Sequence, residues 1–234
     1  SALYFGYYFY SAYNEQRQRA LKATAMAHQA QLKMLRYQLN PHFLFNTLNA
    51  ISTLVLEKSN KEANEMLTKL SSFLRYTLHN QPTQKISLDQ EMHALGLYLE
   101  IEKVRFQDRL TIHYDIDPAA HSALIPSLIF QPLVENAIKY AVAPSIEGGT
   151  LSITAYREDG RLKISLTDTG PGLEDVNNLT SQTGSGVGLA NTRERLAQLY
   201  GDTHTLSIEN VPTKGLGIFI DIPFEEKASR KLAS

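Results

Sequence analysis

The chain reads as an α+β protein: a helical first half, then a two-layer sandwich of helices on one face of a mostly antiparallel sheet. Three observations predict it. Up to Phe106, helix-forming residues carry apolar positions spaced three and four apart. From Leu110 the pattern switches to strand-like alternation. And five of the 13 glycines fall between positions 170 and 188, marking one loop rather than many turns.

Taken in order, Glu15 to about Glu57 is a run of good helix formers broken by Pro41 alone. Before the proline, Leu32, Leu35 and Leu39 form a coiled-coil-like seam. After it, the apolar stripe is Leu44, Leu48, Ile51 and Val55, opposite a face carrying His42, Asn46, Asn49 and Thr53. The stripe therefore changes sides at Pro41, where a proline inside a helix would bend the rod. A second helix is expected from Lys61 to Leu78 with Leu67, Leu70 and Leu74 on one face. The two would form a hairpin whose stripes are buried by dimerisation into a four-helix bundle. Gln81-Pro82-Thr83 is a loop, and Ser87-Leu88-Asp89-Gln90 is a capping box opening a third helix to Phe106.

In the second half, Leu110–Ile116 alternates as a strand. Ser127–Ala141 reads as a helix, and Thr150–Tyr156 with Arg161–Leu166 as a hairpin around Asp159-Gly160. A loop spans Gly170–Gly188, a helix Leu189–Tyr200, and strands Thr205–Glu209 and Leu216–Ile222. The expected domains are 1–13, 14–108, 109–225 and a tail at 226–234.

Composition excludes several classes. No cysteine is present, which removes disulfides, thiolate zinc sites and cysteine nucleophiles. A net charge of −1 gives nucleic acid no electrostatic footprint. No apolar run is long enough to span a bilayer. Residues 1–13, however, carry seven aromatics and no charge, and a basic stretch to Arg36 follows. This is the pattern of the inner end of a membrane helix with its cytoplasmic flank, so the chain is expected to be the cytoplasmic part of an inner-membrane protein; the alternative is an aromatic helix end packed on a partner chain. A signal peptide would place the charge first.

Four short elements carry chemistry. Gln38-Leu39-Asn40-Pro41-His42-Phe43-Leu44-Phe45-Asn46 sets a histidine on a polar helix face, where a neutral imidazole is a competent nucleophile. Pro132-Leu133-Val134-Glu135-Asn136-Ala137-Ile138-Lys139 puts an amide mid-helix, where its carbonyl oxygen suits Mg²⁺. Asp168-Thr169-Gly170-Pro171-Gly172 places a carboxylate at a strand end, able to accept from an exocyclic amino group. Gly184-Ser185-Gly186-Val187-Gly188-Leu189 offers backbone N–H groups ahead of a helix, as phosphate sites do. Each element alone has a bland reading: a core histidine, a satisfied buried amide, a turn aspartate, a flexible loop. Glu135 and Lys139, four apart, could be a surface ion pair.

In this order, the four elements resemble the cytoplasmic part of LytS-like sensor histidine kinases, with their NPHFLFN histidine motif. The last three resemble the asparagine box and glycine boxes of the Bergerat-type ATP fold. Tyr98–Phe106 is similar to the subfamily's linker helix. The resemblance implies a homodimer through the N-terminal helices and a response-regulator receiver domain as partner. It implies His42 as phosphoacceptor and ATP as the phosphoryl donor. It gives Asn136 the Mg²⁺ ion, Asp168 the adenine amino group, and Gly170 and Gly172 room for the base. Gly184, Gly186 and Gly188 would belong to the phosphate lid, and Lys139 would reach phosphate. Asn46, four residues after the histidine, stands where related kinases carry Thr or Asn for phosphatase activity, which leaves a phosphatase role open. One departure stands out: Phe43 occupies the place where many such kinases carry an acidic proton acceptor. Glu135 is then the candidate base, or a neutral imidazole needs none. The competing readings are an ATPase clamp of the same fold, which would lack His42 and its helix, and a non-catalytic dimeric scaffold, which the intact glycine boxes disfavour.

Overall fold

The computed structural model describes residues 16–18, 40–79, 84–173, 186–212 and 215–226. The expected membrane-helix end, most of the segment before Asn40, the loop at 81–83, Gly184 and the tail beyond Glu226 lie outside them. Packing divides the chain into two units, residues 1–46 and 47–234, and the division falls inside the first long helix, α1 (Pro41–Leu56).

In the first unit, Asn40 caps α1. Its side-chain oxygen accepts from the amides of His42 at 3.1 Å and Phe43 at 3.2 Å, and its carbonyl takes Leu44 N at 3.1 Å. Pro41 sits at the first helical position, where its missing N–H costs nothing and its fixed φ suits the turn. The sequence suggests a rod that bends at Pro41; α1 begins at that proline, and residues 19–39 of the expected rod lie outside the described residues. Locally, asparagine followed by proline is a helix-start signal.

The second unit opens with the remainder of α1. Lys58, at φ 62°, turns the chain, with Ser59 N bonded to Leu54 O at 2.8 Å. Helix α2 (Asn60–His79) buries Ala63, Met66, Leu70, Phe73 and Thr77. That stripe packs on α3 (Leu88–Phe106): the rings of Phe73 and Tyr98 lie 5.7 Å apart, and Lys69 reaches Glu100 at 2.9 Å. Of the stripe Leu67, Leu70 and Leu74, expected to be buried by dimerisation, Leu70 is buried within this chain. Leu67 is exposed, as are Leu48 and Val55 of α1. The Ser87 capping box forms as read: Ser87 Oγ accepts from Gln90 N, and Gln90 Oε1 from Ser87 N, both at 3.2 Å.

Two three-residue strands, β1 (Lys85–Ser87) and β3 (Leu124–Pro126), pair antiparallel and staple the start of α3 to the second half of the chain. The main sheet has β2 (Leu110–Ile116), β4 (Gly149–Glu158), β5 (Arg161–Asp168), β6 (Thr205–Asn210) and β7 (Leu216–Pro223) in the order β2-β4-β5-β7-β6. The β2–β4 pair is parallel and the others antiparallel. Asp159 and Gly160, at φ 49° and 73°, make the tight turn of the β4–β5 hairpin. Strand alternation sends Leu151, Ile153, Leu162, Ile164, Leu166, Ile218, Ile220 and Ile222 to one buried face. Against β5 on that face lies α4 (Phe130–Ala137), and against α4 lies α5 (Gly186–Tyr200). The opposite face is polar, with Thr154 and Ser165 hydroxyls 2.7 Å apart. The helix expected from Ser127 is shorter at the front. At its end it widens into a π turn, Ile138–Val142, with Ala143 N bonded to Ile138 O at 2.8 Å.

Candidate functional site

In the first unit the candidate is His42. Its ring is solvent-exposed in the first turn of α1. Asn46, one turn on, brings its side-chain amide to 3.2 Å from Nδ1 and 3.3 Å from Nε2. The two residues are thus a pair, as their spacing predicts. An amide end that donates here occupies the imidazole lone pair. The same amide turned over accepts the N–H from whichever ring nitrogen carries it.

In the second unit the other motifs converge on the end of β5 and on α4. Asp168 closes β5 and is part-buried. Its Oδ1 accepts from Gly170 N at 2.8 Å and Leu216 N at 3.3 Å. Burial raises its carboxyl above the usual range, against the pull of those two amides. Gly170 lies against the π turn: a methyl group there would stand 2.7 Å from Ala141 Cβ and 2.9 Å from Asp168 Oδ1. Gly172 is at φ 74°, and a Cβ there would meet Asn210 Oδ1 at 2.7 Å. Both glycines therefore serve close approach, one by space and one by backbone conformation.

On the other side, Gly188 of α5 sits where a Cβ would be 3.1 Å from Pro132 Cβ and 3.7 Å from Asn136 Nδ2. Asn136 thus faces the start of α5, where Gly186 is the first helical residue. Glu135, one position earlier, accepts from Gln131 Nε2 at 2.9 Å, and its charge bears on Tyr98 and Glu102 of α3. Neighbouring positions on α4 therefore address different helices. Lys139 is exposed, with its ammonium 4.7 Å from the centre of the Tyr140 ring. Among the described residues no group of three His, Cys, Asp or Glu could hold a metal ion.

Several positioning residues escaped the sequence reading. Arg109 donates to the carbonyls of Val142, Ala143 and Ser145 at 3.2, 3.1 and 2.6 Å, closing the free end of the π turn. Asn210 holds Leu173 by both backbone groups, at 2.8 and 2.7 Å, and so fixes the residue that follows Gly172. Gly215, at φ 118°, lets β7 begin where a Cβ would strike Asp168 O at 1.7 Å. The turn signal at Pro212–Gly215 was visible in the sequence; the contact with Asp168, 47 positions away, was not.

Comparison with known proteins agrees with this layout. A family model described as histidine kinase matches residues 30–110. A second, described as histidine kinase-, DNA gyrase B- and HSP90-like ATPase, matches residues 123–226. The sensor histidine kinase YesM of Bacillus subtilis is 35% identical over 210 residues, covering 90% of this chain and 36% of that protein. The sensor protein LytS of Enterococcus faecalis is 32% identical, covering 85% and 35%. The sensor histidine kinase YpdA of Escherichia coli is 36% identical, covering 79% and 33%. The chain spans about a third of the length of these relatives. With both modules matched in their order along the sequence, and at this level of identity, the chain belongs to the family of LytS-like sensor histidine kinases.

Proposed function

We propose that this chain is the catalytic part of a two-component sensor kinase: His42 takes the γ-phosphoryl group of ATP and passes it to an aspartate of a response-regulator receiver domain. The observation that carries the reading is the exposed His42–Asn46 pair in a chain whose second half is an ATPase module. ATP would lie between α4 and the segment Asp168–Gly172. Both described bonds to Asp168 go to Oδ1, which leaves Oδ2 to accept from the adenine amino group. Gly170 and Gly172 give the base its room, and Gly186 and Gly188, with Gly184, border the phosphates. Lys139 reaches out to phosphate.

Asn136 supplies one amide oxygen, which suits an Mg²⁺ ion that takes its remaining ligands from phosphates and water. An ion held there would supply positive charge beside the phosphates. In the reaction, the lone pair of one His42 nitrogen forms the P–N bond as the bond from γ-phosphorus to the bridging oxygen breaks, and ADP leaves with the electron pair. The attacking nitrogen carries no proton. The proton is shed from the other ring nitrogen, and exposure of the ring gives it water to go to. Asn46 with its oxygen turned to that N–H would hold the productive tautomer. Such a route does not need an acid at position 43, and Glu135, turned toward α3, is its alternative acceptor. The same Asn46 amide could orient a water for the reverse, phosphatase reaction.

The exposed Leu48, Val55 and Leu67 are the surface a second copy would cover in a four-helix bundle. The aromatic stretch 1–13 and its basic flank support attachment to the inner membrane, with this chain on the cytoplasmic side; among the described residues no helix is long and apolar enough to cross a membrane.

The test is incubation with γ-labelled ATP and Mg²⁺. Expected is a protein-bound label that is lost in acid, kept in alkali, and absent from His42→Gln while that variant still binds nucleotide. A label that persists in His42→Gln overturns His42 as acceptor. Hydrolysis without any label makes the chain an ATPase.

A further inference from the structure

Helix α4 carries Asn136, and its entrance is an unusual bend. Leu128 stands two residues before α4 at φ 59°, a left-handed backbone that a branched side chain rarely adopts. Two charged side chains hold this bend from different helices. Glu91 of α3, 2% exposed, accepts from Leu128 N through Oε2 at 2.8 Å and from Phe130 N through Oε1 at 3.2 Å. Arg195 of α5 donates to Leu128 O at 3.3 Å and to Ser127 O. The anion thus takes the amides and the cation takes the carbonyls of one short segment. Because α4 has eight residues, a tilt at its entrance is carried to Asn136 with little loss.

Glu91 also lies on the path from the histidine hairpin. Its helix is the one on which α2 packs, through Phe73, Tyr98, Lys69 and Glu100. Tyr76 of α2 completes the cluster, its hydroxyl pushed to a higher pKa by burial and by the Glu91 charge.

We propose that Glu91 is a positioning residue for the nucleotide site, fixing α4 in register with α3 so that a displacement of the α2–α3 pair is felt at Asn136. The inference rests on the reading of Asn136 as a nucleotide contact. Its chemistry is specific. Two amides need two acceptor oxygens. The ionised carboxylate provides both, whereas a protonated acid, or a glutamine, turns one of them into a donor. Burial pushes the Glu91 carboxyl up to about 7, opposed by the backbone amides and Arg195. The titratable and charged groups that face it are Tyr76 from α2 and Arg195 from α5; the bend contributes amides. Protonation of the wild type therefore imitates Glu91→Gln.

The experiment is titration of the chain with a fluorescent ATP analogue and Mg²⁺, for wild type, Glu91→Gln, Glu91→Asp and Asn136→Asp. Expected for Glu91→Gln is about tenfold weaker binding than wild type at about pH 8, shrinking to less than about twofold near pH 5.5. Glu91→Asp, which keeps both oxygens, should regain part of the loss at the higher pH. A ratio of Glu91→Gln to wild type that is constant with pH, or equal to one throughout, overturns the proposal. Asn136→Asp separates the two readings: wild-type affinity there sinks the nucleotide site itself, whereas loss there with an unaffected Glu91→Gln sinks Glu91 alone. Should Glu91→Gln fail to fold, hydrogen exchange of the Leu128 and Phe130 amides in the wild type replaces it. Protection greater at about pH 8 than at about pH 5.5, after correction for intrinsic rates and taken relative to sheet-core amides such as that of Ile153 so that global stability cancels, supports the proposal, and an unchanged ratio overturns it.

Discussion

Replacing Gly170 by alanine tests the packing at the end of β5, where the nucleotide is proposed to bind. The added methyl would stand 2.7 Å from Ala141 Cβ, 3.0 Å from Ala141 Cα and 2.9 Å from Asp168 Oδ1. Carbon atoms in contact normally sit about 3.5–4.0 Å apart, so something must move by roughly 1 Å. Either the π turn shifts away from β5, or Asp168 releases the Gly170 amide. Gly170 does not have a left-handed backbone, so the penalty is steric and not conformational. Overpacking of this kind costs about 1–3 kcal/mol. If it falls on the bound state, nucleotide affinity drops about 5- to 100-fold. The clash has a named partner, which allows a sharper assay. Ala141→Gly removes the 2.7 Å contact, so the double variant should recover part of the loss. A double-mutant cycle on the dissociation constant should then give a coupling of about 1 kcal/mol. Thermal melts of all four proteins separate this from the general cost of glycine in the turn, about 1 kcal/mol. An affinity of Gly170→Ala within about twofold of wild type, or strict additivity in the cycle, would refute the steric reasoning.

Two further outcomes are expected. Asn40→Ala should cost about 1 kcal/mol of helix stability and expose the His42 and Phe43 amides to faster hydrogen exchange, with Asn40→Ser largely restoring both; unchanged exchange would contradict the cap. For Glu91 the pH dependence has a definite sign. Its folded pKa of about 7 lies above the ordinary 4.5, so the folded state holds the proton more tightly. The stability this gives is complete below the ordinary value and is lost as pH rises to about 7, by roughly 3 kcal/mol. Melts of wild type and Glu91→Gln should therefore diverge in that window, the wild type falling relative to the variant, and parallel curves across it would count against a buried, perturbed carboxyl.

What could be read from the sequence was what local rules decide. The Ser87 box involves residues three apart, and the Asp159-Gly160 turn involves two, so both formed as read. Strand alternation named the buried face of the sheet because one side has helices over it and the other has water. The same rules failed where the deciding partner is remote. Leu67, read as part of a stripe for a dimer, is exposed in this chain, and α3 covers the adjacent stripe of α2. Strands β1 and β3, three residues each, are too short to show a period. Asn40 and Pro41 carry a local start signal, and α1 begins on it. The motif residues Asn136, Asp168, Gly170 and Gly188 were visible as types in a spacing. Their supports, Glu91, Arg109, Arg195, Asn210 and Gly215, were not, because each acts on a backbone segment far away in the chain.

The cap on α1 has a bearing on the phosphohistidine proposed at His42. Pro41 has no amide hydrogen, those of His42 and Phe43 are occupied by the Asn40 side chain, and that of Leu44 is taken by the Asn40 carbonyl. A phosphate on the imidazole would feel the positive end of the helix yet find no spare main-chain donor in the first turn to grip it. It would sit tethered by one bond, wetted and unshielded: a poor storage form, and for that reason a ready currency for any acceptor that docks against this helix end.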